Sequence, residues 1–168
     1  MKSILFPQIE KWLLLLIPLV FFGFYPSYWS KLSVDKTTIQ HIHAFFMCLW
    51  VVMSIVQPYL IIKKKTQIHK IVGKVSYALI SLIVISGYVL IQARYDRVLL
   101  RVKDRVATGE LQLTPEGVLG RVASLQSIGI LFLLLLIICY ILAIANRKRV
   151  LPHATYMIGP FSRPLTPL

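Results

Sequence analysis

Four histidines are the residues of this sequence whose side chains bind metals and haem most readily, because neutral imidazole is the commonest metal ligand in proteins. They are His41, His43, His69 and His153, in a chain of 168 residues. A long apolar run separates the first two from His69, and about 20 helical residues span roughly 30 Å. One site therefore cannot use all four, and the histidines fall into two groups.

His69 and His153 lie beside basic segments, and the neighbouring apolar runs place both at the same predicted depth on different helices. Their imidazoles could therefore converge, which makes them the predicted ligands of any cofactor. Haem b is one alternative, because the lysines at 63–65 would stabilise its anionic propionates; a metal ion with Glu10 as third ligand is another. Without a cofactor, both would be interfacial histidines bonded to headgroups, water or backbone.

A stripe of polar and sulfur-containing residues recurs at helical spacing inside the second apolar run. Its members, at i, i+4, i+7, i+11 and i+14, are His43, Met47, Trp50, Ser54 and Gln57. They share one helical face, and Gln126 is predicted at the depth of His43. Polar groups in a span usually face the bundle interior. The stripe is therefore either a ligand-facing surface, with His43 and Met47 as weaker candidate ligands, or a packing face held by hydrogen bonds.

Several kinds of chemistry are missing from the sequence. There is no Gly-rich phosphate loop and no Ser-His-Asp arrangement, and no Asp or Glu lies within any predicted span. Proton pumps and ion-coupled transporters usually use such carboxylates, so the pattern argues against both. Cys48 and Cys139 lie in apolar runs outside any CxxC motif, so no disulfide framework is predicted. No catalytic residue is predicted.

Composition indicates a membrane protein. The chain is 57% hydrophobic, against about 45–50% for soluble domains, and its mean hydropathy is +0.74. The net charge of +13 comes from basic blocks beside apolar runs. That placement is typical of a cytoplasmic membrane surface, and no nucleic-acid partner is predicted.

The predicted fold is all-α: a single domain, 1–168, forming a polytopic transmembrane helix bundle. Four apolar runs predict spans at about 12–29, 41–62, 71–93 and 122–145, each close to the roughly 20 residues that a bilayer requires. The proline-rich C-terminal segment is too short to span and predicts at most a partial fifth helix.

An extramembrane segment, 94–121, separates the third and fourth spans. Within 94–106 the apolar residues Tyr95, Val98, Leu99, Val102 and Val106 share a helical face, which predicts an amphipathic helix lying on the membrane surface. The run Thr114-Pro115-Glu116 predicts a helix start, with an N-cap, a proline at N1 and an acidic first turn.

Charge predicts the topology. The N-terminal segment, the basic hairpin at 63–74 and the C-terminal segment together carry +10, whereas the segments on the other side carry +3. The positive-inside rule then places both termini in the cytoplasm of a bacterium, with the chain in its inner membrane.

Several short motifs resemble those of a family of uncharacterised bacterial multi-helix membrane proteins. They are HIHAFFMCLW, Gln57-Pro58, the His69-x-x-x-Gly73-x-x-x-Tyr77 pattern and His153-Ala-Thr-Tyr-Met157. The resemblance covers most of residues 12–158 and implies a membrane helix bundle but no activity. Family members continue into a further membrane helix, where this chain has GPFSRPLTPL. The histidine-bearing helices are more loosely similar to cytochrome b561-type electron carriers.

These patterns predict an integral membrane protein without catalysis of its own, acting as an accessory, assembly or structural subunit. Its expected partners are the lipid bilayer and other membrane protein subunits. One alternative is a haem- or metal-binding redox protein that uses His69 and His153. The other is a protein that handles lipids or small molecules through the interior stripe.

Overall fold

A computed structural model of the chain describes residues 13–32 and 37–158. This part of the protein consists of helices joined by turns and contains no strand, which confirms the all-α prediction for it. A 3-10 turn, Trp29–Lys31, follows the first helix. The helices are α1 Leu16–Phe24, α2 Thr38–Ile62, α3 Thr66–Ala107, α4 Pro115–Ala145 and α5 Val150–Ile158.

Three of these helices, α2, α3 and α4, are long and apolar enough to cross a membrane. They contain 25, 42 and 31 residues, and about 20 residues suffice for a bilayer. Within the most apolar stretch of each, 17%, 33% and 11% of the residues are buried. Most of the apolar surface of these helices therefore faces outward, as lipid-exposed helices require.

The first predicted span, 12–29, differs from the other three. In its described part, residues 13–14 are helical, a turn residue follows, and the nine-residue helix α1 is followed by turns and the 3-10 turn; residue 12 lies outside the described residues. Helix α1 ends at Phe24, two residues before Pro26, which lacks the N–H needed to continue a helix. Three candidate spans are thus present in the described residues, and a fourth is not confirmed.

Helices α2, α3 and α4 pack in chain order through short connections. A tight turn at 63–65, where Lys64 has φ +58°, joins α2 to α3. Met53 of α2 packs against Leu79 and Ile83 of α3, with Leu136 of α4 against the same cluster. Successive helices therefore run antiparallel. We call the end with this turn the hairpin end. The opposite end, where α2 and α4 begin, is called the pocket end after a pocket described below.

The amphipathic segment 94–106 is not a separate helix. It continues α3 without a break to Ala107, because the chain has no glycine or proline between 88 and 107. The predicted apolar face exists, but it packs against Val118 and Val122 of α4 rather than lying on a membrane surface. Helix α4 supplies this partner because it begins at Pro115, well before its predicted membrane entry.

Both ends of α4 were predictable from local sequence. The Thr114 hydroxyl accepts a hydrogen bond from the backbone N–H of Gly117 at 3.2 Å, Pro115 is the first helical residue and Glu116 lies in the first turn. The helix ends at Ala145, as predicted. The partial fifth helix is α5; residues 159–168 lie outside the described residues.

Candidate functional site

The stripe predicted on α2 lies against α3 and α4. Met47 and Trp50 pack on the core cluster of Met53, Leu79 and Ile83, and Gln57 is buried. Ser54 donates a hydrogen bond to the Trp50 carbonyl of its own helix at 2.9 Å. The polar residues of the stripe therefore lie at different depths in the bundle, and at each depth they contact different residues.

His43 joins α2 to α3 near the pocket end. Its Nδ1 lies 3.0 Å from the hydroxyl of Ser86, which is buried. That hydroxyl has one proton, and it donates to the Leu82 carbonyl at 2.7 Å. The imidazole therefore donates through Nδ1–H. Gly87 permits the close approach, since a Cβ there would lie 3.2 Å from His43 Cε1.

The other polar residues near His43 do not join it in one cluster. His41 Nδ1 lies 2.9 Å from the hydroxyl of Tyr28, so it ties α2 to the turns after α1. Gln126 of α4 is 3% exposed, and its Nε2 has no hydrogen-bond partner in the described part of the chain. Gln92 is exposed and donates to Tyr88. The structure thus keeps Gln126 inside and Gln92 outside.

A hydroxyl pair connects α3 and α4 in the middle of the bundle. The Ser76 hydroxyl donates to the Gly73 carbonyl at 2.7 Å and lies 2.8 Å from the Tyr140 hydroxyl, which therefore donates to it. The Tyr140 ring also packs edge-on against Trp50 of α2 and Tyr77 of α3. This cluster was not predicted, because Ser76 and Tyr140 are two of several hydroxyl-bearing residues in their apolar runs and no local pattern distinguishes them.

Gln57 and His69 meet at the hairpin end. The Gln57 side-chain amide donates to the His69 carbonyl at 3.5 Å, a long bond. Gln57 Oε1 and His69 Nδ1 are both buried, and neither has a hydrogen-bond partner among the described residues. Buried polar atoms are normally satisfied, so this is the place in the bundle where a further polar group would be most favourable.

His153 of α5 lies at the same end. Its Nδ1 is 2.8 Å from the Ala143 carbonyl oxygen, so Nδ1–H donates and Nε2 keeps its lone pair. His69, in the first turn of α3, and His153 therefore lie at the same end of the bundle. Whether the two share a ligand stays a prediction.

These two histidines are the residues that would hold a haem iron at this end of the bundle. Histidines that ligate metals usually donate their other ring N–H to a carbonyl or carboxylate, as His153 does, and His69 offers an unpartnered nitrogen. The Glu10 proposed as a third metal ligand lies outside the described residues. Within 13–32 and 37–158, no group of three or more His, Cys, Asp or Glu side chains could share a metal ion.

The candidate ligands on the stripe are less well placed as a pair. His43 donates Nδ1–H to Ser86 and keeps the lone pair of Nε2, but Met47 packs against the apolar core. The hairpin-end group of Gln57, His69 and His153 is therefore the better candidate site.

Comparison of the chain with protein-family models, with curated proteins and with solved structures finds no match. The class of protein is thus defined by the fold alone: the part of the chain that the structure describes is all-helical and has three candidate membrane-spanning helices.

Proposed function

We propose that this protein is a non-catalytic accessory, assembly or structural subunit of the cytoplasmic membrane of a bacterium. One observation carries the proposal: polar side chains inside the bundle are used to join helices. His43 contacts Ser86 across α2 and α3, and Ser76 contacts Tyr140 across α3 and α4. Such bonds fix the register of neighbouring helices, which is what a subunit needs to present a defined outer surface.

Four spans complete the proposed arrangement, with 12–29 as the first and both termini in the cytoplasm. Charge supports it. The hairpin end carries the lysines at 63–65 and the basic residues at 147–149, and cytoplasmic loops are enriched in Lys and Arg.

The outward surface of α4 supports a protein partner. Its apolar stretch is the least buried of the three candidate spans, at 11%. Lipid covers such a surface in an isolated subunit, whereas the helices of another membrane protein cover part of it in an assembly. The resemblance to uncharacterised multi-helix membrane proteins adds no activity that would compete with this role.

Site-specific photo-crosslinking in cell membranes tests the subunit proposal. A photoreactive residue is placed in turn at four exposed positions of α4: Ile128, Leu131, Phe132 and Ile138. We expect adjacent positions to give one adduct of the same mass with another membrane protein. Tyr140, a buried aromatic residue of the same helix, is the matched control and should crosslink only within the chain. Adducts with lipid alone from all four positions would contradict the subunit role.

A second candidate function is electron transfer by haem b held between His69 and His153. The specific observation in its favour is that both imidazoles lie at one end, with a carbonyl-oriented Nδ1–H on one and a buried unpartnered nitrogen on the other. Haem, when bound, would supply reversible one-electron chemistry. The lysines at 63–65 lie in the adjoining turn, where they would stabilise its propionates.

A further inference from the structure

A cavity of about 400 Å³ at the pocket end is lined by five arginines. Four come from the last turns of α3 and one from α4, and the amide of Gln40 from the start of α2 completes the polar wall. We call this the arginine pocket. Its arginines are Arg94, Arg97, Arg101, Arg105 and Arg121.

The spacing of the α3 arginines explains their common direction. Positions 94, 97, 101 and 105 follow the i, i+3, i+7, i+11 pattern of a single helical face. Like charges at such spacings destabilise a helix. The repulsion between these arginines destabilises α3 unless anions neutralise their charge.

Among the described residues, only one of these arginines forms an ion pair. Arg105 pairs with Glu110 at 3.0 Å, but both side chains are about half exposed, at 49% and 61%. Arg97 uses its Nε on the Ala93 carbonyl. In the described residues, Arg94, Arg101 and Arg121 make neither a hydrogen bond nor an ion pair. Three guanidinium groups therefore face one cavity with their donors unused.

The side chains that line the pocket indicate which type of anion would bind there. A guanidinium offers a planar fork of N–H donors that matches phosphate oxygens in pairs. The remainder of the lining is apolar and includes Val98, Val102 and Leu125. A ligand with a phosphate and an adjoining apolar part fits this combination better than a free inorganic ion does.

The position of the pocket points to a lipid. It lies where α2 begins, where α3 leaves its apolar stretch and where α4 enters its own. In a bilayer, the phosphates of phospholipids lie at this level. We propose that the arginine pocket binds the phosphate of an anionic phospholipid headgroup, with the first acyl carbons against Leu125. This inference rests on the membrane placement in the proposed function.

The chain offers a matched control for a test. Arg101 and Lys103, two residues further along α3, are both exposed, but only Arg101 lines the pocket. Substitutions of Arg101 and Lys103 by glutamine each remove one positive charge from the same turn. Only the Arg101 substitution removes a charge from the lining of the pocket.

The experiment is native mass spectrometry of the full chain in a neutral detergent, titrated with dioleoyl phosphatidylglycerol. We expect wild type and K103Q to retain the lipid alike, and the double variant R101Q/R121Q to bind at least about tenfold more weakly. Hydrogen bonds to charged groups contribute enough for that ratio. R94Q, a single substitution in the same pocket, should weaken retention too. Circular dichroism checks that each variant keeps its helices.

Other outcomes would overturn the proposal. Equal retention by wild type, R94Q and R101Q/R121Q would show that the lipid does not use this pocket. An equal loss of lipid retention in K103Q would show that binding depends on the net charge of the protein and not on the pocket. Competition by inorganic phosphate at the concentration of the lipid would replace the lipid with a soluble phosphate ligand, and equal binding of phosphatidylcholine would remove the preference for anionic headgroups. A protein that stays in membranes but fails these tests leaves the proposed function standing.

Discussion

Tyr140 is the side chain at which α2, α3 and α4 meet, because its ring contacts Trp50 while its hydroxyl contacts Ser76. Replacing Ser76 by Ala would leave a buried tyrosine hydroxyl without an acceptor. Such a loss costs about 1–3 kcal/mol, and interhelical hydrogen bonds in membranes fall at the low end of that range. We expect Ser76→Ala to lower the midpoint of thermal unfolding in detergent.

Ser81 provides the control for this prediction. It also lies on α3 and also donates to a carbonyl of its own helix, at Tyr77, but it is exposed and has no partner on α4. Ser81→Ala should leave the midpoint almost unchanged. Tyr140→Phe combined with Ser76→Ala should cost less than the two single changes added together. Additive losses would mean that the two hydroxyls do not interact.

The hairpin-end histidines give a second prediction at the residue scale. If the purified protein carries haem, the visible spectrum should show a Soret band that shifts or disappears in both His69→Ala and His153→Ala, because each removes an axial nitrogen. His41→Ala is the control, since His41 is bonded to Tyr28 near the opposite end. Unchanged spectra in both variants would exclude this ligand pair. A wild type without haem would eliminate the redox candidate and leave the subunit proposal in place.

At the scale of helices, α3 is the element that exceeds the bilayer. Its 42 residues correspond to about 63 Å at 1.5 Å per residue, roughly twice the hydrocarbon thickness. The excess lies at the pocket end, where Val102 packs against Val118 and Val122 of α4. A second small core therefore stabilises the helices beyond the apolar stretches.

Spin labels can test whether α3 is straight. Ile71 and Lys103 are both exposed, and 32 residues of unbroken helix separate them by about 48 Å. We expect a pulsed electron paramagnetic resonance distance near that value in a lipid bilayer. A helix that turned onto the membrane surface after residue 93 would shorten the distance to about 36 Å, which would restore the surface-lying helix predicted from the sequence.

Local signals account for what the sequence predicted well. The start of α4 at Pro115 and its end at Ala145 follow from a cap, a proline and a change from apolar to basic residues within a few positions. The Ser76–Tyr140 bond joins residues 64 positions apart, and no local pattern specifies such a pair. The apolar face of 94–106 was recognised, but periodicity does not reveal whether lipid or another helix covers it.

At the scale of the molecule, the two ends of the bundle differ in chemistry. The hairpin end has lysines, two histidines and unpartnered buried atoms of Gln57 and His69. The pocket end has the arginine pocket, where acidic residues of the same segment reduce the net charge to +2 over 94–121. By the positive-inside rule, this asymmetry predicts that the hairpin end faces the cytoplasm.

Topology is therefore the prediction that tests the whole arrangement. Reporters fused after Lys65 and after Arg149, both at the hairpin end, should give cytoplasmic signals, whereas one fused after Gly109 should give a signal from the outside. The physical reason is the difference between +10 and +3 across the membrane. The reverse pattern would place the arginine pocket in the cytoplasmic leaflet and His69 with His153 outside. Cytoplasmic signals from all three fusions would mean that α3 and α4 do not cross the bilayer as separate spans.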